Sequence, residues 1–391
     1  MAELAQDWSP ERLARLGLCA AHDGGDLKLT ALVRDQGAEA VWQYLTTSAT
    51  RTALTARARA VDVPALVADT VRRSARFVVP GDPEWPVGLD QLAWSEPVSR
   101  LGGEPFGLWL VGRADLPGMI RSSVAIVGSR ASTAYGEHVA AELSAGLAEA
   151  GYTIVSGGAY GIDAAAHRAA LGVGGRTMAV MAGGLAEYYP PGNARLIGQI
   201  ADAGLVISEY PPPCPPSRAR FLVRNRLIAA LSRGTVIVEG AERSGAQNTV
   251  SWALSLGRPV LAVPGPVTSA TSVTPHRLIR DGLATLVTDA NQVRCELEPL
   301  GQHVTPPARQ APSPEDELPE ADRQVLDALG RRRWLAVDDV VAATGRAASQ
   351  IMAALGRLKQ AGLVDDDAVG QWRWSAQVVR QSGQIPVSSV T

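Results

Sequence analysis

The feature that most constrains the fold is a series of short apolar segments between residues 121 and 290, each followed by a glycine-rich or polar turn. Ser123–Val127 is the first, and the others are residues 152–156, 177–181, 205–208, 235–238 and 259–263. Segments of this length, rich in β-branched residues and separated by stretches long enough for a helix, predict βαβ units. The predicted fold class is α/β, with a doubly wound parallel sheet covered by helices on both faces.

The turn after the first strand carries groups that suit an anion. Gly128 allows a ligand to approach the main chain, Ser129 offers a hydroxyl, and Arg130 offers several N–H donors. A helix is expected to begin near Glu137, and helix N-termini attract negative charge. Because ligands of open parallel sheets bind beyond the carboxyl ends of the strands, the sequence predicts an anion site at this edge.

A second cationic stretch lies between residues 211 and 238, which contain five arginines and no acidic residue. These arginines are Arg218, Arg220, Arg224, Arg226 and Arg233. We place Arg224 and Arg226 in the first turn of a helix that continues through residues 227–231. Cations at a helix N-terminus oppose the helix dipole, and a bound anion would offset that repulsion. A phosphate site is therefore favoured over a solvated charged face, with Phe221 beside it to stack a base.

The overall charge does not by itself indicate nucleic-acid binding, because the formal net charge is −2. The distribution of charge is uneven, since residues 121–290 carry 14 basic and 11 acidic side chains, a net of +3. Both flanking segments carry more acidic than basic residues. This distribution is compatible with a local cationic surface on a nearly neutral protein.

Composition disfavours several classes of protein. The chain has no run of about eighteen apolar residues and no basic-then-apolar leader, which predicts a cytoplasmic protein without a membrane segment. Cys19, Cys214 and Cys295 are too few and too far apart for a disulfide framework or a zinc site. Lys28 and Lys359 are the only lysines, so the central segment lacks the lysine of a P-loop. We expect neither a cofactor nor a metal.

Carboxylates near the ends of the predicted strands leave an enzymatic alternative open. Asp163, Glu209 and Glu239 fall at or just beyond strand ends, where two carboxylates could act as acid and base. The structural interpretation is that each caps a helix or pairs with an arginine. The alternative to a binding protein is therefore a hydrolase on the same fold.

The segment before the central strands is expected to extend the sheet. Residues 76–120 contain turn residues around one or two short strands, which would form an edge of the main sheet. Trp85, Trp94 and Trp109 in this segment are interpreted as core anchors, with base stacking as the alternative.

Changes in composition along the chain predict its domain organisation. Six prolines in residues 299–319 indicate a linker, and the three helical patterns and hairpin that follow indicate a winged helix. The predicted units are a helical domain at 1–75, the sheet domain at 76–298, the linker at 299–319, a winged helix at 320–375 and a disordered tail at 376–391. The winged helix is acidic, so protein contact is at least as well supported as DNA contact.

The ordered motifs of the central segment resemble those of the DNA processing protein A family, also called DprA or Smf. The matching stretches are VGSR at 127–130, VSGGAYGIDAAAH at 155–167, YPPGN at 189–193, SEYPP at 208–212, FLVRNRLIA at 221–229, RSGAQNT at 243–249 and AVPG at 262–265. Many relatives carry a basic residue in the Tyr-Pro-x-x-Asn element, where this chain has Pro191 and Gly192. Either Arg195, or Arg218 together with Arg220, would have to replace that cation, or affinity would be weaker.

The resemblance implies an extended Rossmann-like domain between an N-terminal domain that is similar to a sterile alpha motif (SAM) and a C-terminal winged helix. It also implies a non-enzymatic protein that binds single-stranded DNA without sequence preference. Such proteins protect incoming DNA in natural transformation, anneal strands and load the recombinase RecA. They are usually homodimers that associate through the Rossmann-like domain.

Carried over by motif, the resemblance also implies a nucleic-acid site. Its residues would be Gly128, Ser129, Arg130, Ser156, Gly157, Gly158, Asn193, Arg218, Arg220, Phe221, Arg224, Asn225, Arg226, Ser244 and Gly245. The enzymatic alternative on the same fold is similar to the nucleoside-monophosphate phosphoribohydrolases. Those enzymes carry a Pro-Gly-Gly-x-Gly-Thr-x-x-Glu loop, and residues 239–249 lack that arrangement.

Overall fold

The computed structural model describes residues 7–242, 244–298, 318–329, 333–367 and 369–375. The chain divides into two compact units, residues 1–303 and 304–391. Nearly all of the predicted proline-rich linker, residues 299–317, and the predicted tail at 376–391 lie outside the described residues.

Five helices open the larger unit, as the apolar spacing of this segment predicts. They are α1 Pro10–Ala21, α2 Leu27–Gln36, α3 Ala38–Thr47, α4 Ala53–Ala60 and α5 Val63–Arg72. Polar side chains fix their starts, since Ser9, Asp26 and Asp62 each accept a hydrogen bond from a backbone N–H of the first turn. The apolar faces of these helices share one core with the sheet, which includes Phe77 and Trp109.

The larger unit is built on a nine-stranded sheet. Its strands are β1 Arg76–Val78, β2 Leu108–Val111, β3 Ser123–Val127, β4 Thr153–Ser156, β5 Thr177–Met181, β6 Leu205–Ser208, β7 Thr235–Ile237, β8 Val260–Ala262 and β9 Thr285–Leu286. They lie in the order β1-β2-β6-β5-β4-β3-β7-β8-β9. All pairings among β3 to β9 are parallel, whereas β1 and β2 add an antiparallel edge beside β6. The predicted parallel sheet and its added edge are confirmed.

Helices cover both faces of the sheet. They are α6 Leu116–Ile120, α7 Ala134–Glu149, α8 Ile162–Gly172, α9 Ala194–Ala203, α10 Arg218–Ala230, α11 Gly245–Ser255, α12 Val273–Arg280 and α13 Ala290–Leu297. Successive strand side chains alternate between the two faces. Val124 and Ile126 share a core with α7, α8 and α13, and Ala125 and Val127 share another with α10, α11 and α12. This two-sided burial explains the continuous apolar runs in the sequence.

The three tryptophans of the edge segment have different environments. Trp109 on β2 is fully buried, and its Nε1 donates to the Thr70 hydroxyl at 3.0 Å. Trp85 is also buried, so the core interpretation is confirmed for both. Trp94 is 78% exposed, and the Arg34 guanidinium lies 4.5 Å from its ring centroid. The core interpretation is therefore wrong for Trp94, because a cation rather than a core covers one face of the ring.

The smaller unit is the predicted winged helix. It consists of α14 Glu320–Leu329, β10 Leu335–Ala336, α15 Val337–Thr344, α16 Ala348–Gln360, β11 Val364–Asp366 and β12 Gln371–Trp374. The three strands form an antiparallel sheet in the order β10-β12-β11. Its core is formed by apolar side chains of all three helices together with Trp372 and Trp374.

Candidate nucleic-acid interface

A cavity of about 760 Å³ opens at the carboxyl ends of the central strands. Its walls are the turns that follow β3, β4 and β7 and one side of α10. The chain runs from β3 through β4, β5 and β6 to one side and then returns to β7 on the other side. The cavity therefore lies at the topological switch point, where open α/β sheets bind their ligands.

Three helices direct their N-terminal ends toward this cavity. Asp163 in the first turn of α8, Arg218 in the first turn of α10, and Gly245 at the start of α11 all line it. The unpaired N–H groups and the dipole of each helix favour an anion at that end. The cavity is thus electrostatically suited to phosphate before any side-chain cation is considered.

Helix α10 begins earlier than the sequence pattern indicated. It starts at Arg218, and the Ser217 hydroxyl accepts a hydrogen bond from the Arg220 N–H at 3.3 Å. Arg224 and Arg226 consequently lie in the middle of the helix, so their predicted place in its first turn is wrong. The physical reason is that Ser217 can cap the helix, which lets the first turn form directly after Pro216. Similarly, α7 starts at Ala134, and not near Glu137.

Arg130 and Arg224 both line the cavity and both lie near the Phe221 ring. Their guanidinium carbons lie 4.6 and 5.7 Å from the Phe221 ring centroid. Arg130 is exposed, and its side chain has no ion-pair or hydrogen-bond partner in the part of the chain that the structure describes. A guanidinium without such a partner favours a bound anion.

Arg224 is held rigidly at the back of the cavity. Its Nη1 donates to the Gly157 carbonyl at 2.8 Å and also to the Val180 carbonyl, and its Nε donates to Asn225 Oδ1 at 3.2 Å. Burial is the main cause that lowers the pKa of Arg224 to about 10, with a smaller contribution from Arg130, while Asp163 opposes the shift. Arg224 therefore remains charged at neutral pH and contributes a fixed positive potential.

Asp163 is the one predicted carboxylate that lines the cavity. Its Oδ2 accepts from the N–H groups of Gly157 and Ala159, in the turn before α8, at 3.1 and 3.3 Å. Asp163 therefore fixes this turn and does not cap the helix, because the N-cap residue is Gly161 and no side chain caps α8. Burial raises the pKa of Asp163 above its usual value, although Arg224 and the two amides oppose the shift.

The structure brings nine of the fifteen predicted residues together as cavity lining. They are Gly128, Ser129, Arg130, Arg218, Phe221, Arg224, Asn225, Ser244 and Gly245. The Ser244 hydroxyl oxygen is buried and has no hydrogen-bond partner within the described residues. Asn225 joins the two helices of the wall, because its Nδ2 donates to Asn248 Oδ1 at 3.2 Å.

Arg226 does not line the cavity, which corrects its predicted role in closing the pocket. It is fully buried, and its two terminal nitrogens donate to the two carboxylate oxygens of Glu209, both at 2.6 Å. Residues two apart on a helix point in nearly opposite directions, so Arg224 and Arg226 cannot share one wall. Removing one partner of such a buried pair typically costs about 3–5 kcal/mol of stability.

Four further predicted residues support the cavity without lining it. The Ser156 hydroxyl donates to the Ile126 carbonyl at 2.6 Å, and Asn193 Nδ2 donates to the Gly158 and Ala159 carbonyls, both at 3.0 Å. A Cβ at Gly157 would lie 2.4 Å from Arg224 Nη1, and Gly158 has a φ of 69°. These residues fix the second glycine turn, so their predicted place on the wall is corrected to a supporting one.

Arg220 is likewise outside the cavity. Its Nε and Nη2 donate to Asp23 Oδ1 at 3.0 and 2.8 Å, which directs the side chain toward the N-terminal helices. Arg218 and Arg220 were predicted to replace the missing basic residue together. Only Arg218 lines the cavity.

Residues that our site prediction missed complete the walls. Tyr189, Asn248 and Thr249 line the cavity, and the Tyr189 ring centroid lies 5.9 Å from that of Phe221. All three occur in the motifs at 189–193 and 243–249, so their positions after β5 and β7 were available as a signal. They are neither cations nor glycines, which are the residue types that most directly indicate a phosphate site.

The other two predicted carboxylates are engaged elsewhere. Glu239 accepts from the Thr133 N–H and hydroxyl at 2.9 and 2.6 Å and from the Thr271 hydroxyl at 2.9 Å. Glu209 pairs with Arg226. Of the three candidate carboxylates, only Asp163 lines the cavity, so the structure forms no acid–base pair of them there.

Membrane-spanning helices and metal-binding clusters are both absent from the described residues. No helix among them is long and apolar enough to span a membrane. No cluster of three or more His, Cys, Asp or Glu side chains among them is arranged to hold a metal ion.

Comparison with known proteins agrees with the motifs. The family model for DNA recombination-mediator protein A matches residues 76–298, and the model for the DprA winged helix domain matches residues 309–366. The putative DNA processing protein DprA of Mycobacterium tuberculosis is 47% identical over 309 residues, which are 78% of each chain. Protein Smf of Synechocystis is 32% identical over 331 residues, 76% of this chain and 79% of that one.

A solved structure extends the similarity to three dimensions. The X-ray structure of DNA processing protein A from Streptococcus pneumoniae superimposes with a TM-score of 0.62 at 31% identity, covering 75% of this chain and 99% of that one. The matching family models, the sequence relatives and the shared fold all agree. The chain belongs to the DNA processing protein A (DprA) family.

Proposed function

We propose that the protein binds single-stranded DNA in the cavity without regard to sequence. The observation that carries this proposal is the convergence on one cavity of three helix N-termini and the cations Arg130, Arg218 and Arg224. Contacts of this kind bind backbone phosphates, which dominate affinity and carry no sequence information.

The aromatic side chains support an unpaired strand as the ligand. Phe221 and Tyr189 both line the cavity, and Tyr189 is 44% exposed. Nucleobases stack on such rings whatever their identity, but only when they are free of a duplex stack. A volume of about 760 Å³ exceeds what a phosphate alone requires and is typical of sites for larger ligands.

Membership of the family supports the cellular role. We infer that the protein protects incoming single strands in natural transformation and recombination and delivers them to the recombinase RecA in the cytoplasm, acting by binding and not by catalysis.

We further propose that it acts as a homodimer through the Rossmann-like domain. Strand β9 forms one edge of the sheet, and Leu286 on β9 and Leu283 before it are 45% and 46% exposed. An exposed strand edge with apolar side chains is a surface that a second copy can cover.

A hydrolase of nucleoside monophosphates is the alternative function. Asp163 would be its most plausible acid, since its carboxylate lines the cavity and its pKa is raised by burial. Incubation with nucleoside monophosphates tests this directly, and release of free base would support the enzyme.

Titration of a labelled oligonucleotide tests the proposed function. We expect strands of unrelated sequence to bind with similar affinity, a matched duplex to bind more weakly, and affinity to fall steeply as salt rises. Equal affinity for duplex and single strand, or binding that ignores salt, would refute the proposal.

A further inference from the structure

The loop between α1 and α2 reaches across to the helix that lines the cavity. Asp23 in this loop accepts two hydrogen bonds from Arg220, from Nε at 3.0 Å and from Nη2 at 2.8 Å, both at Oδ1. The Tyr210 hydroxyl donates to the Asp23 carbonyl at 3.0 Å. The loop between α1 and α2 is thus connected to α10 through a partly exposed ion pair and to Tyr210 through a backbone contact.

Backbone geometry fixes the position of this carboxylate. Gly24 and Gly25 have φ angles of 78° and 73°, which side-chain-bearing residues rarely adopt. A Cβ at Gly24 would lie 2.8 Å from Glu209 Oε1, so the loop packs directly on the buried Glu209–Arg226 pair. The Gly25 carbonyl accepts from the Gly102 N–H at 3.1 Å. These contacts hold Asp23 in a fixed position beside α10.

Arg220 is close to the proposed DNA path but is turned away from it. Its neighbour Phe221 lines the cavity, as does Arg218. The Arg220 and Asp23 side chains retain 19% and 44% exposure, so solvent reaches the ion pair. Exposed ion pairs contribute little net stability, and a phosphate can compete with a carboxylate for the same donors.

We propose that Asp23 is a built-in counter-ion that limits the affinity of the protein for single-stranded DNA by withholding Arg220. This inference rests on the proposed function and adds a residue of the N-terminal helical region to the DNA-binding surface. A strand lying along α10 brings a phosphate to Arg220, whose guanidinium then exchanges the Asp23 carboxylate for the phosphate. The N-terminal region thereby sets how many cations the strand can engage.

The test is a thermodynamic cycle on the full-length protein with a labelled single strand. D23N removes the charge but keeps a side-chain oxygen for the Arg220 donors, and R220A removes the cation. D35N is the matched control, because Asp35 is an exposed acid on α2 with no ion pair in the described part of the chain. Melting curves confirm that each variant is folded.

We expect D23N to bind several-fold more tightly than the wild type, with a larger gain than that of D35N. R220A should bind more weakly, and the double variant D23N/R220A should bind no better than R220A. The inference is overturned if D23N gains no more than D35N, if the gain of D23N persists without Arg220, or if R220A leaves affinity unchanged. R220A alone decides the matter if D23N does not fold.

The same experiment separates this inference from the function on which it rests. If the wild type fails to bind the strand in a salt-dependent way, the proposed function itself is wrong. If the wild type binds and the cycle shows no coupling between Asp23 and Arg220, only the counter-ion role is wrong.

Discussion

Arg130 and Arg224 contribute to the cavity in different ways. Arg130 is exposed and rests on Phe221, so its donors can turn toward a phosphate at little cost. Arg224 is 4% exposed, and its Nη1 donates hydrogen bonds to the carbonyls of Gly157 and Val180. We infer that Arg130 supplies hydrogen bonds to the strand and that Arg224 supplies charge and rigidity.

The raised pKa of Asp163 predicts that DNA binding depends on pH. As pH falls from neutral into the acidic range, Asp163 takes up its proton sooner than an ordinary aspartic acid, because burial disfavours its charged form. The cavity then loses a negative charge beside Arg224. Affinity for single strands should therefore rise as pH falls, which titrations across this range can measure.

D163N provides the matched control for this pH dependence. Asparagine keeps an oxygen that can accept from the Gly157 or Ala159 N–H, but it carries no charge. At neutral pH we expect this variant to bind several-fold more tightly than the wild type, with an affinity that changes less with pH. A variant that binds as the wild type does at every pH would show that Asp163 has no electrostatic part in binding.

Residue types at the site were predictable from sequence, but the direction of each side chain depended on the helix start. Once α10 starts at Arg218, residues 218, 221, 225 and 228 share one face by helical spacing, and all of them line the cavity. Arg226 then falls on another face. A helix start at Arg224 leaves residues 218 and 221 outside the helix, so the face that they share with 225 and 228 was not predicted. Ser217 after two prolines was a usable signal for the earlier start.

At the scale of elements, the strands were predicted more accurately than the contacts between segments. Residues 177–181 and 205–208 were predicted as strands with the observed bounds, because each is a buried apolar run. Strand β9 has only two residues, both exposed, and was not predicted. The Asp23–Arg220 contact joins residues 197 apart in the chain, and no local pattern encodes a contact of that range.

The two cations of α16 are paired with acids. Arg357 on α16 donates to both carboxylate oxygens of Asp322 at 2.8 and 2.6 Å, which lowers the pKa of Asp322. Lys359 on the same helix lies 2.6 Å from an Asp366 oxygen. A recognition helix needs free cations to hold phosphates. A phosphate at α16 would have to displace both carboxylates, so we propose that α16 contacts protein rather than DNA.

Removal of the winged helix tests this assignment. A chain that ends at residue 303 retains the whole larger unit, including every residue of the cavity. Its affinity for single strands and the salt dependence of that affinity should equal those of the full chain in parallel titrations. A marked loss of affinity in the shortened chain would mean that the winged helix does bind DNA.

At the scale of the whole molecule, the free sheet edge predicts how copies associate. L286R places a charge on exposed β9, where it would be buried if a second copy covers this edge. Sedimentation velocity should show a dimer for the wild type and a monomer for L286R, with circular dichroism showing that the variant is folded. If L286R sediments as the wild type does, any dimer must use another surface.

The central claim is that a strand is held by phosphate contacts in the cavity, and the salt dependence of R130A tests it most directly. R168A is the control, because Arg168 is an exposed arginine of α8 that does not line the cavity. Loss of a charged hydrogen bond should weaken binding by about ten- to a hundredfold for every sequence. The slope of log affinity against log salt should become shallower by about 0.7, the value of one phosphate contact.

R168A should match the wild type in both affinity and slope. If R130A instead binds with the affinity and the slope of the wild type, the strand does not occupy the cavity and the account is wrong.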